Sequence, residues 1–122
     1  MRKGLHFPGR YILIGQTPVA EPDILAWAEW FETADRVVEQ TEVGGYFVST
    51  IFLALDHDLR GLGPPLLFET MVFSDQASIA CKRCSTWTEA EALHRQVCAE
   101  FARNLRRPHH AKSKTITDLR RH

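Results

Sequence analysis

Apolar and polar positions along this chain fall into segments of two different periods. Tyr46 to Leu55 and Leu66 to Phe73 are rich in β-branched and aromatic residues and bounded by turn-forming ones, which marks them as strands. The polar stretch Asp56 to Pro65 joins them, so Phe47 to Phe73 is expected to form a β-hairpin. In the first strand Phe47, Ser49, Ile51, Leu53 and Leu55 share one face, and Tyr46, Val48, Thr50, Phe52 and Ala54 share the other. In the second, Leu66, Phe68, Thr70 and Val72 oppose Leu67, Glu69, Met71 and Phe73. Both faces carry large apolar groups. Such a sheet needs covering elements on both sides or a second copy of itself, and a homodimer is the expectation.

Helical spacing governs two other segments. Glu21-Pro22-Asp23 is a helix start, because proline at the first helical position loses no needed hydrogen bond and acidic groups suit the positive end of the dipole. The pattern predicts a helix from Pro22 to about Gln40, with Ile24, Trp27, Ala28, Phe31, Ala34 and Val38 as its core stripe and Trp30 at the border. Glu29, Glu32, Asp35 and Glu39, with Arg36, would face outward as a mostly acidic protein-binding surface. Thr86-Trp87-Thr88-Glu89 is a capping box, and Ala90, Leu93, His94, Val97, Cys98, Phe101 and Leu105 follow at helical steps, so a second helix should end before Pro108. Arg10 to Ile14 reads as an edge strand ending in a turn at Gly15 and Thr17-Pro18. Ser78 to Cys84 reads as a third antiparallel strand of the hairpin sheet, at an edge because of Lys82 and Arg83. The fold class is α+β: a small antiparallel sheet packed with two amphipathic helices.

Composition adds bounds. A chain of 122 residues, 44% hydrophobic and 25% charged, can bury one core without disulfides or metal. We read residues 1–105 as one domain and 106–122 as a basic tail. No stretch approaches the ~20 apolar residues of a membrane helix, and the basic start Met1-Arg2-Lys3 is not followed by a signal-peptide core. Three cysteines cannot all pair within one chain, so free thiols of a cytoplasmic protein are expected, with no membrane partner and no cofactor. The formal net charge is zero but unevenly placed. Residues 1–80 hold five Lys/Arg against eleven Asp/Glu, and residues 81–122 hold ten against four. The tail residues Arg106, Arg107, Lys112, Lys114, Arg120 and Arg121 could neutralise phosphates in a nucleic-acid partner. They lack interleaved aromatic residues for base stacking, and a solubilising end explains them equally well.

Four groups could carry chemistry. Cys81 and Cys84 have the spacing of half a zinc site, which would have to borrow ligands from His57, His94, Cys98, His109 or His110; structural thiols are the simpler account. Asp56, His57 and Asp58 lie where a strand meets its loop, with Glu69 on the facing strand. In a catalytic reading His57 is a base oriented by a carboxylate, and in a metal site Asp56 and Glu69 supply oxygen ligands. The competing reading, which we favour, has Asp56 capping the turn, His57 packing against Pro64 or Pro65, and Asp58 solvated. Glu69, among apolar neighbours, needs a partner such as Arg36, Arg95 or His94. His94, on the core side of its helix, is expected to be a satisfied core histidine bonded to Glu69 or Asp56. No glycine-rich phosphate loop, GxSxG or HExxH is present.

The segments Asp23 to Glu32 (DILAWAEWFE), Val48 to His57 (VSTIFLALDH), Pro64 to Phe73 (PPLLFETMVF) and Ser85 to His94 (STWTEAEALH) occur in order. On these four blocks the chain resembles a family of small uncharacterised proteins encoded by bacteriophages and prophages, from about Pro18 to Phe101. The resemblance implies a gene product working in a bacterial cytoplasm and brings no catalytic residue or ligand with it. The basic tail and the Cys81–Cys84 pair look like departures from the family pattern. Three functions follow, in order: an accessory or anti-defence protein that binds a host protein, a nucleic-acid-associated protein using its tail, and a metal-dependent enzyme at Asp56, His57 and Glu69.

Overall fold

The structure, a computed structural model, describes residues 9–75 and 77–105. Eight elements follow in order: β1 (Tyr11–Ile14), β2 (Thr17–Ala20), α1 (Ile24–Thr33), β3 (Val37–Val43), β4 (Tyr46–Phe52), β5 (Phe68–Ser74), β6 (Ala77–Cys84) and α2 (Trp87–Leu105). Strands β3 to β6 form an antiparallel meander in sequence order, and β1 and β2 a separate hairpin. This is a small α+β fold.

The central hairpin forms as its sequence pattern predicts, with Tyr46 opposite Ser74, Val48 opposite Val72 and Phe52 opposite Phe68. Strand β6 pairs with β5 at one edge. The other edge, β3, was not anticipated, because the predicted first helix stops ten residues after it starts. Asp23 caps α1 by accepting from the amides of Leu25 and Ala26. At the far end Ala34 turns extended, Asp35 accepts from the Val37 amide, and Arg36 exchanges backbone and side-chain bonds with Phe52. The chain therefore enters the sheet at Val37. Val38 does reach the core, but from a strand, whose register shifts between Val37 and Glu39. Asp35 and Glu39 are accordingly not on α1; of the four acidic residues assigned to one helix face, only Glu29 and Glu32 remain there. A two-residue turn, Gly44-Gly45, joins β3 to β4, with Gly44 at a φ of +60°. The Thr17-Pro18 turn is also corrected: Gly15-Gln16 turns, and Pro18 sits in β2 opposite Leu13.

Helix α2 lies across β3, β4, β5 and β6. Its start is the capping box read from sequence. The Glu89 amide donates to the Thr86 hydroxyl, and the Glu89 carboxylate accepts from the amides of Ser85 and Thr86. Under it the core divides in two. Phe52, Ala54, Leu67, Phe68 and Ala90 form one cluster, joined by Trp27, Trp30, Phe31 and Trp87. Val48, Val72 and Val97 form the other, joined by Tyr46, Leu93 and Phe101. Residues on both faces of the central hairpin are buried within the one chain, Ser49 and Phe73 included, so the two-faced apolar pattern does not by itself require a second copy. The β1–β2 hairpin is tied on by backbone bonds from Tyr11 to Ala54 and from Asp56 to Gly9. Among the described residues no helix is long and apolar enough to cross a membrane.

Candidate functional site

Each candidate is built from its own local geometry. In the loop after β4, the Asp56 carboxylate is buried and accepts from the amides of Asp58 and Leu66, closing the two ends of the loop on each other. Asp58, expected to be solvated, is buried too, because the loop backbone folds around its carboxylate. It accepts from the amides of Arg60 and Gly63, and its carboxyl is held below the usual range, first by the Gly63 bond. The Nδ1 proton of His57 goes to the Leu55 carbonyl, since a carbonyl can only accept. Loop construction thus occupies all three residues.

Glu69 stands apart from this loop. It is 8% exposed, and its Oε2 accepts from Arg83 Nε at 3.1 Å, Arg83 Nη2 at 3.0 Å and the Cys81 thiol at 3.3 Å. Its cation comes from the adjacent strand, where Arg83 pairs directly opposite it, and not from Arg36, Arg95 or His94. Asp56, His57 and Glu69 do not converge. Among the described residues no three His, Cys, Asp or Glu side chains gather where they could hold a metal ion.

The two cysteines of the half-site part for a geometric reason. They stand three positions apart on a strand, an odd step, so they point to opposite faces: Cys81 sits opposite Met71, while Cys84 sits opposite Phe68 against the core. A CxxC pair brings its thiols together on a turn or helix start, and here it lies within β6. Burial pushes both thiols up, Cys84 to about 11.

His94 is a satisfied core histidine, as expected, but with other partners. It is 1% exposed, with Nδ1 at 2.7 Å from the Thr50 hydroxyl and Nε2 at 2.9 Å from the Thr41 hydroxyl. Thr50 lies 2.7 Å from Thr70 on the next strand. Burial lowers the pKa of the imidazole, against a smaller upward pull from Glu39. Pattern reading marks threonine in a strand as β-propensity, so the partners went unseen; the available signal was that Thr50 and Thr70 fall on the same face as Val48 and Phe68.

Two surface features remain. A depression at the β1–β2 turn is lined by Gln16, Thr17, Pro18, Thr86, Trp87 and Thr88. A groove of about 410 Å³ runs along α1, lined by Leu25, Trp27, Ala28, Glu29, Phe31 and Glu32. Trp27 and Phe31 stack at 4.9 Å, and the Trp27 indole donates to the carbonyls of Tyr11 and Ala54, so the inner wall of this groove is fixed. Its outer side is open: Leu25 is 74% and Ile24 57% exposed. Sequence reasoning placed Ile24 and Ala28 in the core and did not single out Leu25; the helix is rotated so that Trp30 packs inward on Phe52 instead. The basic residues Arg106, Arg107, Lys112, Lys114, Arg120 and Arg121, and with them the proposed nucleic-acid contact, lie outside the described residues. Compared with known proteins, the chain matches no family model, no curated protein and no solved structure.

Proposed function

We propose that this is a phage- or prophage-type accessory protein that acts by binding a host protein, with α1 as its docking face. The observation that carries this reading is the state of α1. No residue of the helix is fully buried, and its outward side sets Leu25 and Ile24 beside the carboxylates of Glu29 and Glu32. A helix serving only the core would turn its leucine inward. Here the aromatic residues anchor one side and leave an apolar strip with an acidic rim on the other, which suits a partner with an apolar protrusion flanked by Lys or Arg. A non-enzymatic role is favoured because Asp56, His57 and Glu69 are each engaged in holding local structure. The resemblance of the four sequence blocks to small phage proteins is what suggests a bacterial cytoplasmic setting, and an anti-defence role is part of the proposal.

Affinity capture from a bacterial lysate tests this, comparing the native chain with Leu25→Asp/Glu29→Lys/Glu32→Lys. A host protein retained by the native chain and reduced roughly tenfold or more by the variant is the expected result. Equal retention by both, or no specific partner from plausible hosts, would remove the proposal.

A further inference from the structure

The loop joining β4 to β5 carries more internal hydrogen bonding than its exposed tip requires. Two buried carboxylates are committed to it, Asp56 bridging its ends and Asp58 gathering the amides of Arg60 and Gly63, with Gly61 in the left-handed region at a φ of +67°. What this scaffold presents is Leu59 at 70% exposure, Leu62 at 75%, and between them the exposed Arg60, whose Nε lies 3.8 Å from Asp58 Oδ1 and whose charge is only partly met there. An apolar tip held in one conformation loses little entropy on insertion into a pocket. The shallow, open depression on α1 is its chemical complement, lined by Leu25, Trp27, Ala28 and Phe31 together with the carboxylates of Glu29 and Glu32. Both features flank the same end of the sheet. Trp27 of α1 donates to the Ala54 carbonyl two residues before the loop begins, and Trp30 packs edge-on against Phe52.

We infer that the Leu59–Leu62 tip of one chain inserts into the α1 groove of a second copy, and reciprocally, so that the protein self-associates through the surface it offers its partner. The inference rests on α1 being a docking face and names a competitor for it. Two small loop contacts make a weak dimer, one that a host partner with larger contact area displaces.

Sedimentation of the purified full chain from about 10 to 500 µM measures this without any host protein, so failure here and failure to find a host partner are separate results. A monomer–dimer equilibrium is expected. Leu59→Asn/Leu62→Asn, which alters only exposed side chains, should weaken it roughly tenfold or more. Arg60→Glu alone, and Glu29→Lys/Glu32→Lys alone, should each be monomeric. Mixing those two variants should restore the dimer, because every loop then meets a groove of opposite charge. A chain that stays monomeric throughout, a dimer indifferent to these changes, or mixed variants that stay apart would overturn the inference.

Discussion

Protonation of His94 would bury a charge between α2 and the sheet, where its ring nitrogens meet the Thr41 and Thr50 hydroxyls and Glu39 gives only a minor favourable pull. Its folded-state pKa lies below the unfolded value of about 6.5, so the unfolded chain takes up the proton first. The stability this residue contributes is fully present above that unfolded value and is lost as pH falls below it toward the folded one. Melting temperature should therefore drop between pH 7.5 and pH 5.5, and His94→Gln should flatten that part of the profile; an unchanged slope in the variant would place the titration elsewhere. Cys84 offers a second residue-level check. With its thiol raised to about 11, the thiolate fraction at pH 8 is roughly a hundredth of that of a free cysteine. Alkylation of Cys84 should be roughly tenfold or more slower than that of a small-molecule thiol, the greater nucleophilicity of a high-pKa thiolate offsetting part of the deficit, as read by peptide mass spectrometry.

At the scale of elements, the start of α2 rests on reciprocal bonds between Thr86 and Glu89. Thr86→Ala should cost about 1 kcal/mol in urea unfolding with an unchanged denaturant slope. This cap was legible because four residues carry the whole motif. The central hairpin was equally legible, since its two long apolar runs flank one polar loop. Strand β3 was not: Trp27, Phe31, Ala34 and Val38 sustain a helical rhythm across the boundary, and the stop depends on Arg36 meeting Phe52, a contact sixteen residues away. Val37, Val38, Thr41 and Val43 before Gly44-Gly45 were the overlooked hairpin signal. The proposed docking face shows the same limit. Glu29 and Glu32 were marked by charge, but Leu25 became visible only once the rotation of α1 was set by Trp30 on Phe52.

For the whole molecule, all three tryptophans gather around one of the two core clusters. Strands β4 and β5 run through both clusters and α2 spans them. Tryptophan fluorescence and far-ultraviolet circular dichroism should therefore give coincident urea transitions; an earlier fluorescence change would mean that the end bearing α1 opens on its own. Between those clusters lies the layer of Thr41, Thr50, Thr70 and His94. If α2 slid along the sheet by one turn, Ala90 or Cys98 would arrive over the hydroxyls and His94 would be carried into the valines or the phenylalanines, leaving its ring nitrogens without partners. The apolar clusters alone would tolerate that slip, being greasy on either side. The four polar residues act as an alignment pin: replacing them together with Val and Leu would leave a core of similar or greater cohesion whose helix no longer had a single seat.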